Sequence, residues 1–210
     1  MTRRLVELQG LDVFYPIVPS AEWVARLLPL GVKTIQLRVK DAASDVIARE
    51  IAAGLELCRR HRCQLIVNDY WREALDAGAD FVHLGQEDLA GADVAGLKAR
   101  GMRIGISTHS RDELAAALAA RPEYVALGPI YETRLKVMKW APQGLDRIAD
   151  WRRRVGDLPL VAIGGLTPER AEAVLAAGAD SLAVVTDFIT HSDPEARVRE
   201  WLARCQTLRA

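Results

Sequence analysis

Eight short apolar runs, each followed by a helical segment, are the feature that most constrains the fold of this 210-residue chain. A strand buried on both faces of a parallel sheet is a continuous apolar run, whereas a helix shows apolar residues three and four positions apart. The predicted strands span residues 13–18, 34–38, 64–68, 81–84, 103–107, 124–127, 159–163 and 181–185. The clearest predicted helices span residues 44–60, 110–120, 145–155, 168–177 and 193–207.

Residues at the ends of the predicted helices agree with this alternation. Thr167 and Asp193 each precede a proline, which places a capping side chain before a proline at the first helical position. Ser110 is predicted to cap the helix after the fifth strand. Gly78 and Gly178 lie in two Ala-Gly-Ala-Asp segments and indicate equivalent turns from helix to strand. The chain therefore repeats one strand-helix unit.

Eight such units in a chain of this length predict an α/β protein with one domain over residues 1–210, a closed parallel (β/α)8 or TIM barrel. The alternative is an open, doubly wound sheet. It is disfavoured because no glycine-rich dinucleotide-binding turn follows the first strand, and because eight strands suit closure.

Composition excludes several classes of function. The chain has 28 basic and 28 acidic residues, so it lacks the basic excess that nucleic-acid and membrane-surface proteins use. No run is long enough to span a bilayer and the first residues lack a signal-peptide core, which predicts a cytoplasmic protein. Its three cysteines form no disulfide framework. A metal site at Cys58, His61 and Cys63 is disfavoured because the spacing matches no zinc pattern.

Cationic side chains follow the second predicted strand. In a parallel barrel the carboxyl ends of the strands converge on one face, which is where the active sites of such barrels lie. Arg38 and Lys40 lie there, with Gln36 on the same side of the strand because side chains alternate. A guanidinium beside an ammonium suits a phosphate or pyrophosphate. The alternative is a solvated surface pair.

Carboxylates follow the third and fourth predicted strands. Asn68 and Asp69 end one strand, and Asp88 comes four residues after the next. Adjacent strands lie about 4.8 Å apart, so the two carboxylates could share a cation. Two carboxylates with substrate phosphate oxygens are the usual magnesium arrangement. The alternative is that Asp69 or Asp88 caps the following helix.

The fifth strand ends in hydroxyls and an imidazole. Ser107 is positioned to hydrogen-bond a phosphate oxygen, and His109 is either an acid-base group or a residue that hydrogen-bonds at the helix start. A serine hydrolase is disfavoured because no Gly-x-Ser-x-Gly nucleophile turn is present.

The later strand ends supply a loop and a second anion site. Residues 128–144 form the longest irregular segment, which is predicted to be a cationic lid containing Thr133 and Lys136. Gly164 and Gly165 end the seventh strand, where glycines let a phosphate approach the backbone amides. The loops after strands seven and eight, the latter at Val185 and Thr186, are the frequent phosphate site of this fold. Two anionic groups are therefore expected to bind.

These residues together resemble the thiamine phosphate synthase family and its relative, the thiazole tautomerase. The resemblance runs from about residue 12 to residue 190. Its motifs are Gln-Leu-Arg-x-Lys, Asn-Asp, Val-His-Leu-Gly-Gln-x-Asp-Leu, Ile-Gly-x-Ser-x-His, Gly-Pro-Ile-Tyr-x-Thr-x-x-Lys, Ala-Ile-Gly-Gly and Ala-Val-Val-Thr.

The resemblance implies a TIM barrel transferase that uses Mg²⁺ and two small-molecule substrates. Hydroxymethylpyrimidine pyrophosphate would react with a hydroxyethylthiazole phosphate, or its carboxylated form, to give thiamine phosphate and pyrophosphate. By the same resemblance Gln36 would contact the pyrimidine, Asp69 and Asp88 would bind magnesium, and Thr133 would lie near the thiazole. The pyrophosphate would be held by Arg38, Lys40, Asn68, Ser107 and Lys136, and the thiazole phosphate by the backbone at Gly165, Val185 and Thr186.

Two positions depart from the family pattern. The lid usually reads Thr-x-Thr-Lys, but here Leu135 replaces the second threonine. The eighth strand usually ends in serine and a small residue, but here Thr186 is followed by Asp187, whose carboxylate would repel a phosphate if it pointed inward.

Two other functions remain open from the sequence. A tautomerase would use His109 to move a proton on the thiazole ring without metal, but it has no evident use for the full set of cations and carboxylates. A non-catalytic barrel would bind the thiazole or thiamine phosphate only.

Trp151 and Trp201 are interpreted as exposed apolar residues suited to a subunit contact, so a homo-oligomer is a further open alternative.

Overall fold

Eight parallel strands close into a barrel in the computed structural model, which describes residues 10–133 and 140–209. Each strand pairs with the next along the chain, and the eighth pairs with the first. The strands are β1 (Phe14–Val18), β2 (Thr34–Leu37), β3 (Gln64–Asn68), β4 (Phe81–Leu84), β5 (Arg103–Thr108), β6 (Tyr124–Leu127), β7 (Leu160–Ile163) and β8 (Ser181–Val184). The predicted barrel is confirmed, and every predicted strand end is within one residue of the observed one.

Helices surround the barrel. In the described part of the chain they are α1 (Ala21–Leu27), α2 (Ser44–His61), α3 (Trp71–Asp76), α4 (Gln86–Gly91), α5 (Val94–Ala99), α6 (Arg111–Ala119), α7 (Gly144–Val155), α8 (Pro168–Ala176), α9 (Thr186–Ile189) and α10 (Pro194–Arg209). The five predicted helices correspond to α2, α6, α7, α8 and α10. Of the helices in these ranges, none combines the length and apolar character needed to cross a bilayer.

The predicted helix ends are mostly confirmed. Ser110 Oγ accepts a hydrogen bond from the Glu113 amide at 3.2 Å, and Asp193 caps α10 by accepting one from the amide of residue 196. Gly78 and Gly178 have φ of 73° and 117°, which permits the left-handed turn that ends a helix. Thr167 is at the cap position of α8, but its side chain makes no capping hydrogen bond.

The apolar core has two layers. One lies between the strands and the helices and includes Leu37, Ile51 and Leu65. The other fills the barrel interior with Leu11, Tyr15, Ile17, Ile66, Phe81, Tyr124, Ala126, Val161 and Ala183. The interior layer contains two tyrosines, so phenol hydroxyls are buried inside the barrel and need partners.

The interpretation of Trp151 and Trp201 as exposed is wrong. Both side chains are fully buried in the layer under α7 and α10. Trp151 Nε1 donates to Thr108 Oγ1 at 2.9 Å, and the Trp201 ring stacks on Phe14 with centroids 5.5 Å apart. These indoles stabilise the fold, and they offer no surface for a subunit contact.

Candidate active site

The polar residues predicted from the strand ends lie at one mouth of the barrel. Gln36, Asn68 and Ser107 belong to β2, β3 and β5, at or near their carboxyl ends. Arg38 and Lys40 follow β2 directly. Arg38 is half-buried, and its positive charge acts on both Asp69 and His83, whereas Lys40 is exposed.

Two carboxylates face each other at this mouth. Asp69 follows β3 in the left-handed region, with φ of 66°, and Asp88 is the third residue of α4. Burial together with the neighbouring Asp88 carboxylate raises the pKa of Asp69 to about 6, although Arg38 and Asn68 oppose the shift. The cap positions of α3 and α4 are Tyr70 and Gly85. Capping therefore does not explain either aspartate.

The donor set at this pair fits Mg²⁺. Carboxylate oxygens are hard ligands, and two of them held close together are stabilised by a cation between them. Among residues 10–133 and 140–209 there is no cluster of three or more His, Cys, Asp or Glu side chains suited to a metal. Asp69 and Asp88 would therefore hold the ion alone, with water and substrate phosphate oxygens as the remaining ligands.

A buried chain of hydrogen bonds links Gln36 to Ser107 through the barrel interior. Gln36 Nε2 donates to the Tyr15 hydroxyl at 2.7 Å, and the Tyr15 and Tyr124 hydroxyls are 2.9 Å apart. The Tyr124 hydroxyl lies 2.7 Å from His83 Nδ1, and His83 Nε2 lies 2.8 Å from Ser107 Oγ. Two residues predicted to bind substrate are thus connected by three residues that the sequence analysis did not single out.

Only one signal in the sequence could have indicated this chain of hydrogen bonds. His83 is a titratable residue within the otherwise apolar β4, and buried polar side chains need partners. In the barrel His83 pairs in register with Gly105, and Gly105 pairs with Tyr124. A Cβ on Gly105 would lie 2.1 Å from Tyr124 Cζ. The glycine therefore makes room for the tyrosine ring.

His109 lies at the start of α6 and has both a polar and an aromatic partner. Its Nδ1 and its amide nitrogen lie 2.8 Å and 2.6 Å from the Glu113 carboxylate. Its ring stacks on Trp140, at an interplanar angle of 4°. Both roles predicted for His109 stay open. The Glu113 contact would orient the imidazole for acid-base chemistry, and it would equally stabilise the first turn of α6.

The two glycines after β7 allow close approach of the loop after β6. Gly164 and Gly165 have φ of 101° and 63°. A Cβ on Gly164 would lie 2.7 Å from Pro129 Cα, and one on Gly165 would lie 2.4 Å from the Glu132 carbonyl oxygen. Both positions therefore require glycine for reasons of packing and conformation.

Backbone hydrogen bonds close the base of the loop after β6. The donor and acceptor pairs are Ile130 to Ile163, Tyr131 to Gly164, Gln143 to Pro129, and Gly144 to Ile130. The half-buried Thr133 lies on one side of this base. Leu135 and the predicted pyrophosphate ligand Lys136 lie outside the described residues.

The end of β8 resolves the question raised by Asp187. Val185 and Thr186 lead from the strand into the short helix α9. The Asp187 carboxylate accepts hydrogen bonds from Arg197 Nε and Nη2 at 2.8 and 2.9 Å, and from Trp201 Nε1 at 2.7 Å. The carboxylate therefore faces α10, and Arg197 compensates its charge.

We expect Asp187→Asn to lower the free energy of unfolding by about 2 kcal/mol, because it weakens a charge-assisted pair that is mostly buried. Chemical denaturation measures this. Glu200→Gln is the control, since Glu200 is an exposed partner of the same Arg197 and its loss is expected to cost under about 1 kcal/mol. Equal losses in the two variants would contradict the structural role of Asp187.

Comparison with known proteins agrees with this geometry. The sequence profile of thiamine monophosphate synthase matches residues 14–188. The chain belongs to the thiamine monophosphate synthase family. It is 61% identical over 193 residues to a thiamine-phosphate synthase of Rhizobium etli, covering 92% of this chain and 95% of that protein. It is 47% identical over 190 residues to one of Neisseria meningitidis serogroup B, covering 90% and 93%.

A solved structure supports the same assignment. The thiamine phosphate pyrophosphorylase from Pyrococcus furiosus superposes with a TM-score of 0.84 at 25% identity, covering 97% of this chain and 99% of that one. As a member of the thiamine monophosphate synthase family, the chain is a transferase of thiamine biosynthesis. This favours an enzyme over the non-catalytic barrel.

Proposed function

We propose that this chain condenses hydroxymethylpyrimidine pyrophosphate with a hydroxyethylthiazole phosphate, giving thiamine phosphate and pyrophosphate with the help of Mg²⁺. The bond between the pyrimidine methylene carbon and the pyrophosphate oxygen breaks. The thiazole nitrogen then forms a bond to that carbon. The methylene cation is stabilised by the pyrimidine ring, so no protein nucleophile is needed.

The observation that carries this proposal is the facing pair of Asp69 and Asp88 beside Arg38. Two carboxylates in contact, one of them with a raised pKa, are unfavourable unless a cation or proton lies between them. Arg38 adds a fixed positive charge on the same side of the mouth. A leaving group with two phosphates needs this combination of a metal site and a cationic side chain.

The pyrophosphate half of the site would work by fixed charge and hydrogen bonding. Bound Mg²⁺ would offset charge on the pyrophosphate and so stabilise it as a leaving group. Arg38, Lys40 and Lys136 would hold the remaining negative charge, and Asn68 and Ser107 would orient the phosphate oxygens. Donors fixed in place before the reaction cost no reorganisation when charge develops, and loss of one costs about 3 kcal/mol of barrier.

The thiazole half would use the later strand ends. Backbone amides at Gly165, Val185 and Thr186 would bind the thiazole phosphate, and Thr133 would contact the ring substituent. Gly164 and Gly165 have φ of 101° and 63°, a conformation that glycine adopts readily and that suits a turn whose amides face an anion. Because Asp187 is paired with Arg197, its carboxylate would not repel this phosphate.

The tautomerase is retained as a second candidate because of one contact. Glu113 bonds to His109 Nδ1 and would orient the other ring nitrogen for proton transfer. That reaction needs no metal and leaves Asp69 and Asp88 without a role. The condensation therefore accounts for more of the site.

One assay distinguishes these activities. The purified full-length chain is incubated with both substrates, with Mg²⁺ or with Mg²⁺ and excess EDTA, and thiamine phosphate and free pyrophosphate are measured. We expect equimolar products that disappear with EDTA and return with added Mg²⁺. Isomerisation of the thiazole without metal, or no turnover, would overturn the proposal. His109→Ala separates the candidates further, because only a tautomerase requires the imidazole for proton transfer.

A further inference from the structure

We propose that His83 is a positioning residue: the buried hydrogen-bond chain from Gln36 to Ser107 runs in one direction, holds the imidazole protonated on Nε2, and so leaves the Ser107 hydroxyl proton free to donate to an anionic substrate. The assignment of that last partner rests on the proposed function. The direction of the chain does not, because it follows from the side chains themselves.

The number of protons in the hydrogen-bond chain limits its possible directions. The chain has four links, Gln36–Tyr15, Tyr15–Tyr124, Tyr124–His83 and His83–Ser107. Each link needs one proton, and each tyrosine and the neutral imidazole supplies one. A buried donor without an acceptor is costly, so all three internal protons are used within these links and the fourth comes from one end, either the Gln36 amide or the Ser107 hydroxyl. The two choices give opposite directions along the whole chain.

The burial of the chain fixes the charge of its central members. Desolvation raises the pKa of Tyr15 and of Tyr124 well above the usual range, so both keep their protons. His83 is only 6% exposed, and its two ring nitrogens face the hydroxyl groups of Tyr124 and Ser107 rather than a carboxylate that would stabilise a second proton. Burial lowers its pKa in the same sense. The imidazole is therefore neutral and carries one proton, and the count of three internal protons holds.

The Gln36 end sets the direction. Its amide nitrogen, which can only donate, lies 2.7 Å from the Tyr15 hydroxyl oxygen. Tyr15 then donates to Tyr124, Tyr124 donates to His83 Nδ1, and His83 Nε2–H donates to Ser107 Oγ. Ser107 accepts and keeps its own proton for another partner.

The Ser107 end agrees with this direction. Ser107 is half-buried at the barrel mouth, so its hydroxyl can reach a ligand. Its carbonyl oxygen accepts a hydrogen bond from Gln86 Nε2 at 2.6 Å, which fixes the backbone there. A hydroxyl that already accepts from an imidazole is held as a donor toward an anion. In the opposite direction Ser107 would donate its hydroxyl proton to His83 and present only a lone pair to the substrate.

The direct test is the tautomer of His83. The full-length chain, labelled with ¹⁵N-histidine, is studied at pH 7 without substrate by long-range ¹H–¹⁵N correlation NMR. The chain contains four histidines. The signals of the other three are assigned by their disappearance in His61→Gln, His109→Gln and His191→Gln. We expect His83 to be protonated on Nε2 alone. Protonation on Nδ1, or on both nitrogens, overturns the proposal.

A pair of tyrosine variants tests the consequence for catalysis. Tyr15 and Tyr124 are equally buried, at 1% and 0% exposure, so simple destabilisation predicts similar losses for the two phenylalanine variants. The proposed role of His83 instead predicts unequal losses of activity. Tyr124→Phe removes the proton that fixes Nδ1, so we expect at least about a tenfold fall in kcat with a smaller change in KM for the pyrimidine pyrophosphate. Tyr15→Phe keeps that proton and is expected to lose less than about threefold.

The outcomes separate the two proposals. A wild-type kcat for Tyr124→Phe, or equal losses in both variants, overturns the role of His83. A protein that lacks synthase activity but whose His83 is still protonated on Nε2 overturns the proposed function. It leaves the direction of the hydrogen-bond chain intact.

Discussion

Asp69→Asn is expected to lower synthase activity at least about 100-fold and at the same time to make the substrate-free protein more stable. Activity falls because an amide is a poor ligand for Mg²⁺ compared with a carboxylate. Stability rises because the substitution removes like-charge repulsion with Asp88. Asparagine also tolerates the left-handed conformation at this position, where φ is 66°.

The stability gain should depend on pH. The folded-state pKa of Asp69, about 6, lies above the value of 3.8 expected for the unfolded chain. The folded protein therefore binds the proton more tightly, and its stability falls as pH rises from about 4 through 6. We expect Asp69→Asn to match the wild type near pH 4 and to exceed it by on the order of 1 kcal/mol at pH 8, allowing for partial exposure of the carboxylate.

Thermal unfolding between pH 4 and pH 8, with and without Mg²⁺, measures the pH dependence of stability and the stabilisation by Mg²⁺. Mg²⁺ should raise the Tm of the wild type and leave that of Asp69→Asn unchanged. Glu87→Gln is the matched control, because Glu87 is an exposed carboxylate on the same helix as Asp88. Its Tm and activity should follow the wild type. A destabilised Asp69→Asn at pH 8 would contradict repulsion between Asp69 and Asp88.

Gly105→Ala is expected to destabilise the barrel by about 3 kcal/mol or more. The added methyl group would lie 2.1 and 2.2 Å from two ring atoms of Tyr124 and 2.5 Å from its hydroxyl oxygen. That ring is fully buried, stacks on His83 with centroids 5.5 Å apart, and packs against Tyr15 and Phe81. It cannot move aside without disturbing the interior layer, and overpacking of this kind is costly.

Two further variants make this prediction specific. Gly91→Ala is the control, because a Cβ there would contact nothing within 4 Å, and the free energy of unfolding should change by less than about 0.5 kcal/mol. In a Tyr124→Ala background the clash is absent, so Gly105→Ala should then cost less than about 1 kcal/mol. The same cost in both backgrounds would show that the glycine serves another purpose.

The strands and their polar ends could be predicted from the sequence because burial on both faces leaves a local signature. The runs at 34–38 and 64–68 contain apolar residues such as Ile35, Leu37 and the Leu-Ile-Val of residues 65–67, and they stop at Arg38 and Asn68. In a parallel barrel, the position of a strand end alone specifies on which face it lies. Most of the candidate site follows from these two facts.

Side-chain direction and partners could not be predicted, because they depend on contacts between distant parts of the chain. The hydroxyls of Tyr15 and Tyr124 meet across 109 residues. Trp151 and Trp201 lie on polar helices, and only packing shows that their faces turn inward. The sequence does not show that Asp187 is neutralised, because its partner Arg197 belongs to the next helix.

The closed base of the loop after β6 bears on how this part of the chain can vary. Four backbone hydrogen bonds join residues 129–131 to residues 143–144 and to the end of β7, so both ends of the loop are held in place independently of the sequence between them. Insertions, deletions or substitutions within the loop would leave the strands undisturbed. Substrate preference could therefore diverge among related chains through this segment alone, while the barrel and the carboxylate pair stay constant.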